Sequence, residues 1–218
     1  MKRVVITGIG AISPLGNSFD QSWNAIKQGI SGIDKITRFD ASLLPWNSAG
    51  EVKDFRAESF LSYKYVRRLD PFVHYAIAAA LSAAADARLE TTAGDSLSSA
   101  GAIIGSSRGG ITTMERELER IQHGMLRISP AVMPSTTVGM AASSVAQRLG
   151  IKGHCIGIST ACSSGADAIG EAFRLVRSGY SPLVFAGGSE APLCRLCIEG
   201  YGSAGALSKK TISRGNAD

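Results

Sequence analysis

The stretch Cys155-Ile-Gly-Ile-Ser-Thr-Ala-Cys-Ser-Ser-Gly165 decides the fold. Residues 155–159 form a short apolar run that reads as a buried strand, and beyond it Ala166, Ile169, Phe173 and Val176 recur at the spacing of one helical face. Gly179 stops that helix near Ser178, and a further apolar run, Leu183 to Ala186, follows. Strand, helix and strand in succession imply an α/β fold whose sheet is covered by helices. Uncharged strands such as Ile103-Ile104 and Leu183-Val-Phe185 read as buried on both faces, which favours a parallel or mixed sheet. Cys162 then stands at the start of the helix.

A thiol in that position meets unpaired backbone amides and the positive end of the helix dipole, both of which stabilise a thiolate. Its neighbours Ala161, Ser163, Ser164 and Gly165 are small enough to admit a bulky thioester. The amide of Cys162 would face the oxyanion that forms when such a carbonyl is attacked. The same local pattern also fits a buried small cysteine with no chemistry, since free cysteine packs readily in cores.

Working outward, the alternation repeats. Val4 to Ala11 reads as a first strand, Ser13 to Asn17 as a turn, and Phe19, Trp23, Ile26 and Lys27 as a helix. Residues 29–62 lose periodicity and read as a surface excursion with one short strand near Gly50 to Val52. A helix runs from Asp70, placed to cap it, to Ala87, with Pro71 at its first position. Ala100 to Ser106 reads as a buried strand, Gly109-Gly110 as a turn, Thr112 to His123 as a helix, and Thr136 to Leu149 as another.

Composition excludes several classes of function. With 218 residues, 44% apolar and 19% charged, the chain has the make-up of a soluble globular protein. No run approaches the roughly 20 apolar residues of a membrane span, and the start lacks a signal-peptide core, so a cytoplasmic location is expected. The net charge of +5 is dispersed among acidic residues, which argues against nucleic acid and admits an acidic protein partner. The four cysteines are expected to be reduced. Cys194-x-x-Cys197 lacks a second ligand pair, because His74, His123 and His154 are scattered singly, and no metal is expected. Thr7-Gly8-Ile9-Gly10 begins like a dinucleotide fingerprint but breaks at Ser13-Pro14, so no cofactor is expected.

Six blocks occur in an order that carries a resemblance. They are Val4 to Gly16, Arg67-Arg-Leu-Asp-Pro-Phe72, Gly105 to Gly110, Ser129-Pro130, Ser159 to Glu190 with its Gly187-Gly-Ser-Glu190, and Ala206-Leu-Ser208. Together they resemble the β-ketoacyl-acyl carrier protein synthases, most closely the elongating synthase II type, over essentially the whole chain.

The resemblance implies a thiolase-like layered α-β-α fold with a mixed sheet, of which residues 1–218 form the N-terminal half. Asp218 falls where the family continues toward a C-terminal half that holds its two catalytic histidines and its second oxyanion donor. Cys162 is implied as the acylated nucleophile, in decarboxylative condensation with malonyl-carrier protein. Arg108, Val132, Met133 and Tyr201 match positions lining the acyl pocket, with Arg108 standing where an apolar residue is usual and Tyr201 where Phe is usual; Arg108 equally fits a side chain swung to solvent, and the other three equally fit generic core. Lys64, Arg67, Arg68 and Arg127 match a basic patch that docks acyl carrier protein, with a merely solvated face as the alternative, and Gly205 replaces an Arg usual there. Homodimers are implied. The competing reading is a truncated or non-catalytic subunit that needs a partner.

Overall fold

The structure is a computed structural model and describes residues 2–91 and 96–209. In chain order its elements are α1 (Phe19–Lys27), β1 (Ile33–Lys35), β2 (Ser48–Gly50), a single 3-10 turn (Ala57–Ser59), α2 (Tyr63–Val66) and α3 (Pro71–Asp86). There follow β3 (Gly101–Gly105), α4 (Ile111–Gln122), α5 (Val132–Thr136), α6 (Met140–Leu149), β4 (Cys155–Ile158), α7 (Ser164–Arg177), β5 (Val184–Gly188) and α8 (Arg195–Ser203). The chain divides into two compact units, one of residues 1–10 with 56–191 and one of residues 11–55 with 192–218. Asp218, where the resemblance places the family's continuation, lies outside the described residues.

The larger unit is built on a parallel sheet of order β4-β3-β5. Its central strand β3 is buried throughout, and its side chains alternate between two cores. Ala102 and Ile104 join a cluster with Phe72, Ile77, Val145 and Leu149, while Ile103 faces Ala168 and Ala172 on the opposite side. Helices α3 and α6 therefore cover one face and α7 the other, giving three layers. Fully burying a side chain such as Phe72 or Ile77 contributes about 1.5–3 kcal/mol.

Asp70 starts α3 by accepting hydrogen bonds from Phe72 N at 3.1 Å and, across to α4, from Thr113 N at 2.9 Å. Burial raises the pKa of its carboxyl, a pull that those hydrogen bonds and the Arg116 charge oppose without reversing.

Several sequence expectations are corrected. Val4 to Ala11 forms no strand, because no ladder partner lies beside it among the described residues and a strand needs one to satisfy its amides. The segment instead lies along α3, so closely that a β-carbon on Gly8 would strike Ala83 O and one on Gly10 would strike Ala79 O. The glycines of Thr7-Gly8-Ile9-Gly10 thus serve contact with an alanine-rich helix.

β4, expected to be buried, sits at the sheet edge, and Cys155, Ile156 and Gly157 are exposed. The helix expected over 136–149 starts only at Met140, because Thr136 ends the separate short helix α5 and Thr137 turns extended with ψ 132°. On α7 the face of Ala166, Ile169 and Phe173 is exposed, and the buried residues are Ser164, Ala168 and Ala172. Small side chains allow a helix to lie close to a sheet, so the bulkier apolar stripe points away from it.

The smaller unit holds the antiparallel pair β1-β2, so parallel and antiparallel pairing both occur, in separate sheets. Ile36, Ala41 and Ile198 form its core with Trp46 and Leu193 packed against them. Trp46 seats on Gly202 of α8, where any β-carbon would overlap the indole. No helix among the described residues is long and apolar enough to cross a membrane.

Candidate active site

In a parallel sheet all strands point their carboxyl ends the same way, and the segments leaving those ends gather along one edge. Gly105 of β3 pairs with Ile158 of β4 and with Gly188 of β5. The three segments that follow, 106–110, 159–163 and 189–191, therefore emerge side by side. They carry Arg108, Cys162 and Glu190 respectively.

The route from β4 into α7 turns sharply at Ala161, whose φ of +54° is a left-handed conformation that costs a residue with a β-carbon about 1 kcal/mol or more. Cys162 follows immediately and is exposed, and its thiol is free. Ser163 is the N-cap position, so Cys162 lies just outside the helix instead of within its first turn.

Hydrogen bonds on both sides hold the turn. Ser164 Oγ donates to Ala161 O at 2.6 Å and accepts from Thr160 N at 3.0 Å. Thr160 Oγ1 donates to Asp167 Oδ2, and Ser163 Oγ lies 2.8 Å from Thr160 O and 3.2 Å from Asp167 Oδ2. Gly105 and Gly188 supply the space below, since β-carbons there would collide with Ser164 O and with Gly165 Cα.

The neighbouring turn is fixed from β5. Glu190 accepts hydrogen bonds from Ser106 Oγ and, at 3.3 Å, from Arg108 N, and Ser106 Oγ accepts from Gly109 N at 3.0 Å. Gly110 N donates to Thr136 O at 3.2 Å, which ties this turn to α5, the helix of Val132 and Met133. Val132 is buried, whereas Arg108 and Met133 are exposed. Tyr201 is half-buried on α8 in the smaller unit.

Lys64, Arg67 and Arg68 are exposed on and just after the single-turn α2, where the Arg67 guanidinium lies 5.8 Å from the centre of the Tyr63 ring. Arg127 is exposed on a separate segment after α4. Gly205 follows α8 with φ +75°. A groove of about 490 Å³ between α2, α3 and α6, walled by Leu61, Tyr65, Leu69, Ile77, Met140 and Arg148, contains none of the residues singled out from the sequence.

Cys194 and Cys197 are buried at the start of α8 outside any disulfide, and no cluster of three or more His, Cys, Asp or Glu suited to a metal occurs among the described residues. His123 and His154 are exposed, and His74 is buried on α3. Cys155 is exposed as a residue, yet partial enclosure of its thiol pushes that pKa up.

Sequence reasoning found Cys162 and Arg108 but missed Asp167 and Glu190. Glu190 carried a signal in the Gly-Gly-Ser-Glu block at a strand end. Asp167 carried none, since an acid in a first helical turn is commonplace.

A parallel sheet with helices on both faces, and an exposed thiol on the strand-to-helix turn at its carboxyl edge, is the layered α-β-α arrangement that the resemblance to β-ketoacyl synthases implied. Comparison with known proteins agrees. The family model "Beta-ketoacyl synthase, N-terminal domain" matches residues 1–218, and the chain belongs to that family.

It is 42% identical over 211 residues to 3-oxoacyl-[acyl-carrier-protein] synthase 2 of Synechocystis sp., covering 95% of this chain and 50% of the relative. It is 39% identical over 210 residues to the synthase of that name from Vibrio harveyi, covering 96% of this chain and 50% of the relative. Among solved structures, the ishigamide ketosynthase/chain length factor superposes with a TM-score of 0.86 at 28% identity, covering 97% of this chain and 53% of that one. A type II polyketide ketosynthase bound to its acyl-carrier protein gives 0.82 at 30% identity, covering 98% and 51%. The chain thus spans about half the length of these relatives.

Proposed function

We propose that this chain is the N-terminal half of a 3-oxoacyl-[acyl-carrier-protein] synthase and that Cys162 is its acyl-accepting nucleophile. The observation that carries the reading is the exposed Cys162 beside the left-handed Ala161, at the mouth of a parallel sheet in a chain of this family. The Cys162 sulfur attacks the thioester carbonyl of an acyl-carrier protein, a new C–S bond forms, and the carrier's thiol leaves. Malonyl-carrier protein then loses carbon dioxide, its carbanion attacks the acyl carbon, and the Cys162 thiolate is released with a β-ketoacyl product two carbons longer.

The relatives' doubled length supports the view that turnover also needs residues beyond this chain, including the family's two histidines. None of His74, His123 and His154 lies on the three segments that gather at the sheet's carboxyl edge. An inactive subunit is disfavoured by the presence of Cys162 itself.

We assign Lys64, Arg67, Arg68 and Arg127 to docking of the acidic carrier protein, on the strength of their exposure and charge. Arg108, Val132, Met133 and Tyr201 are assigned to the acyl pocket. Arg108 shortens that pocket or selects a polar or unsaturated chain, because a guanidinium is costly to bury beside a saturated one; the alternative is that its flexible stem carries the charge to solvent, in keeping with its exposure. The assembly is a cytoplasmic homodimer without cofactor.

The test is to incubate the chain with an acyl-carrier protein thioester and map the adduct by peptide mass spectrometry. Acylation at Cys162, abolished in Cys162→Ala, is the expected result. Labelling spread evenly over Cys155, Cys194 and Cys197 as well refutes it.

A further inference from the structure

We infer that Asp167 is a positioning residue for the nucleophile, acting as a latch across the turn that presents Cys162. This rests on the reading of Cys162 given above. The turn is short and strained: Ala161 is left-handed, and Cys162 is held between two hydroxyl residues, Thr160 before the strained position and Ser163 after the thiol. Asp167 Oδ2 reaches both, accepting from Thr160 Oγ1 and lying 3.2 Å from Ser163 Oγ. The single proton of Ser163 has three acceptors within range, this carboxylate, Thr160 O at 2.8 Å and Thr160 Oγ1 at 3.2 Å, so Thr160, Ser163 and Asp167 form one closed network.

An acid in the first turn of a helix is often explained by the helix dipole alone. Two features of this turn point elsewhere. Asp167 directs its carboxylate backward onto side chains flanking Cys162, and Ser163, the N-cap residue, spends its hydroxyl on the same network and caps no amide of α7. A left-handed alanine persists only where its surroundings over-determine it. The buried Ser164 hydroxyl, bonded to Ala161 O and Thr160 N, secures the inner side of the turn, and the Asp167 network secures the outer side. Released on the outer side, Ala161 relaxes toward negative φ, and the Cys162 amide and sulfur lose the mutual orientation that an attacked carbonyl requires.

The experiment uses the 218-residue chain and its Asp167→Ala, Asp167→Asn and Thr160→Val variants. Acylation of Cys162 by an acyl-pantetheine thioester is followed by mass spectrometry, and alkylation of the same thiol by iodoacetamide serves as the reference, since it needs no oxyanion donor. Asp167→Ala slows acylation about tenfold and leaves alkylation within about twofold of the parent. Asparagine keeps an acceptor oxygen without the charge, so Asp167→Asn returns acylation to within about threefold, which a dipole role does not predict. Thr160→Val removes the other end of the latch and gives the same acylation defect should Asp167→Ala fail to fold. Parent-like acylation in both Asp167→Ala and Thr160→Val, or equal loss in Asp167→Asn and Asp167→Ala, overturns the latch. A parent chain that is not acylated at Cys162 at all overturns the nucleophile assignment, and the latch with it.

Discussion

Gly105 lies directly beneath Ser164: a β-carbon at Gly105 would overlap the Ser164 carbonyl oxygen, so the first turn of α7 rests on the end of β3 with no side chain between them. Cys162 is two residues from that contact, and its position depends on it.

Gly105→Ala is therefore expected to push α7 off the sheet. Backbone must move, because the obstructing atom is a carbonyl and not a flexible side chain, and overpacking of this kind costs about 3 kcal/mol. For a chain of this size each kcal/mol lowers the melting temperature by roughly 2–4 °C. The control lies in the same helix: Gly170 has nothing near its missing β-carbon, and Gly170→Ala should stabilise the fold by about 0.5–1 kcal/mol. Thermal melts of the two variants, with Cys162 acylation measured alongside, check both signs. Equal melting temperatures would show that the β3–α7 contact is not tight.

What the sequence made legible, and what it hid, follows one physical line. β3, the capped start of α3 at Asp70-Pro71 and the passage from β4 through Cys162 into α7 all came from local signals: apolar runs, a cap and a glycine stop. Signals of that kind survive because they are written within a few residues. The misreadings at Val4 to Ala11 and at β4 both concern what lies beside a segment, and an apolar run does not say how many neighbours it has. On α7 the hydrophobic pattern drew attention to Ile169 and Phe173, while the sheet selected Ala168 and Ala172. The left-handed Ala161 was invisible for a different reason, since no glycine marks it and the network that imposes it involves residues seven apart in sequence.

The exposed stripe of α7 yields a prediction of its own. Ile169 is 56% and Phe173 44% exposed, an unusual state for neighbouring apolar residues one turn apart on a helix. The chain on its own is expected to bind a hydrophobic dye and to associate as its concentration rises. Ile169→Lys combined with Phe173→Ser should suppress both, as read by fluorescence and sedimentation velocity. Because neither side chain is in the core, and the Arg177 guanidinium 5.6 Å above the Phe173 ring is itself at the surface, stability should change by no more than about 1 kcal/mol. Association that persists unchanged in the double variant would assign it to another face.

Glu51 sets an acid limit for the smaller unit. Burial pulls its pKa up, but Thr37 donates from both its hydroxyl, at 2.7 Å, and its amide, at 2.9 Å, and Arg38 N donates as well, so the net result lies below the ordinary value. A depressed carboxylate contributes stability that is complete above its unfolded pKa, about 4.5, and is lost as pH falls through the folded one. Unfolding by urea at pH 7 and at steps below 4.5 should show this decline in the parent and a flatter profile in Glu51→Gln. The glutamine keeps a single acceptor oxygen, so it is the less stable of the two at pH 7, by about 1–2 kcal/mol.

His74 should respond to pH in the same direction but near neutrality. It is enclosed on α3, where burial pushes its pKa down, while the Glu58 charge and a hydrogen bond to the Val66 carbonyl pull the other way without prevailing. Its Nε2 has no hydrogen-bond partner among the described residues, so a proton added there would be buried and unpaired. The unfolded chain then binds that proton more readily than the folded one. Stability is full above about pH 6.5, the unfolded value, and falls as pH drops below it. His74→Leu removes the titration and also the bond to Val66, the residue that closes α2 beside Arg67 and Arg68. It should therefore be less stable than the parent at pH 8 by about 1 kcal/mol, with the gap narrowing or inverting toward pH 5. Parallel stability curves for parent and variant between pH 8 and pH 5 would mean that His74 accepts its proton without cost. That result would place water or a carboxylate such as Glu58 within reach of Nε2.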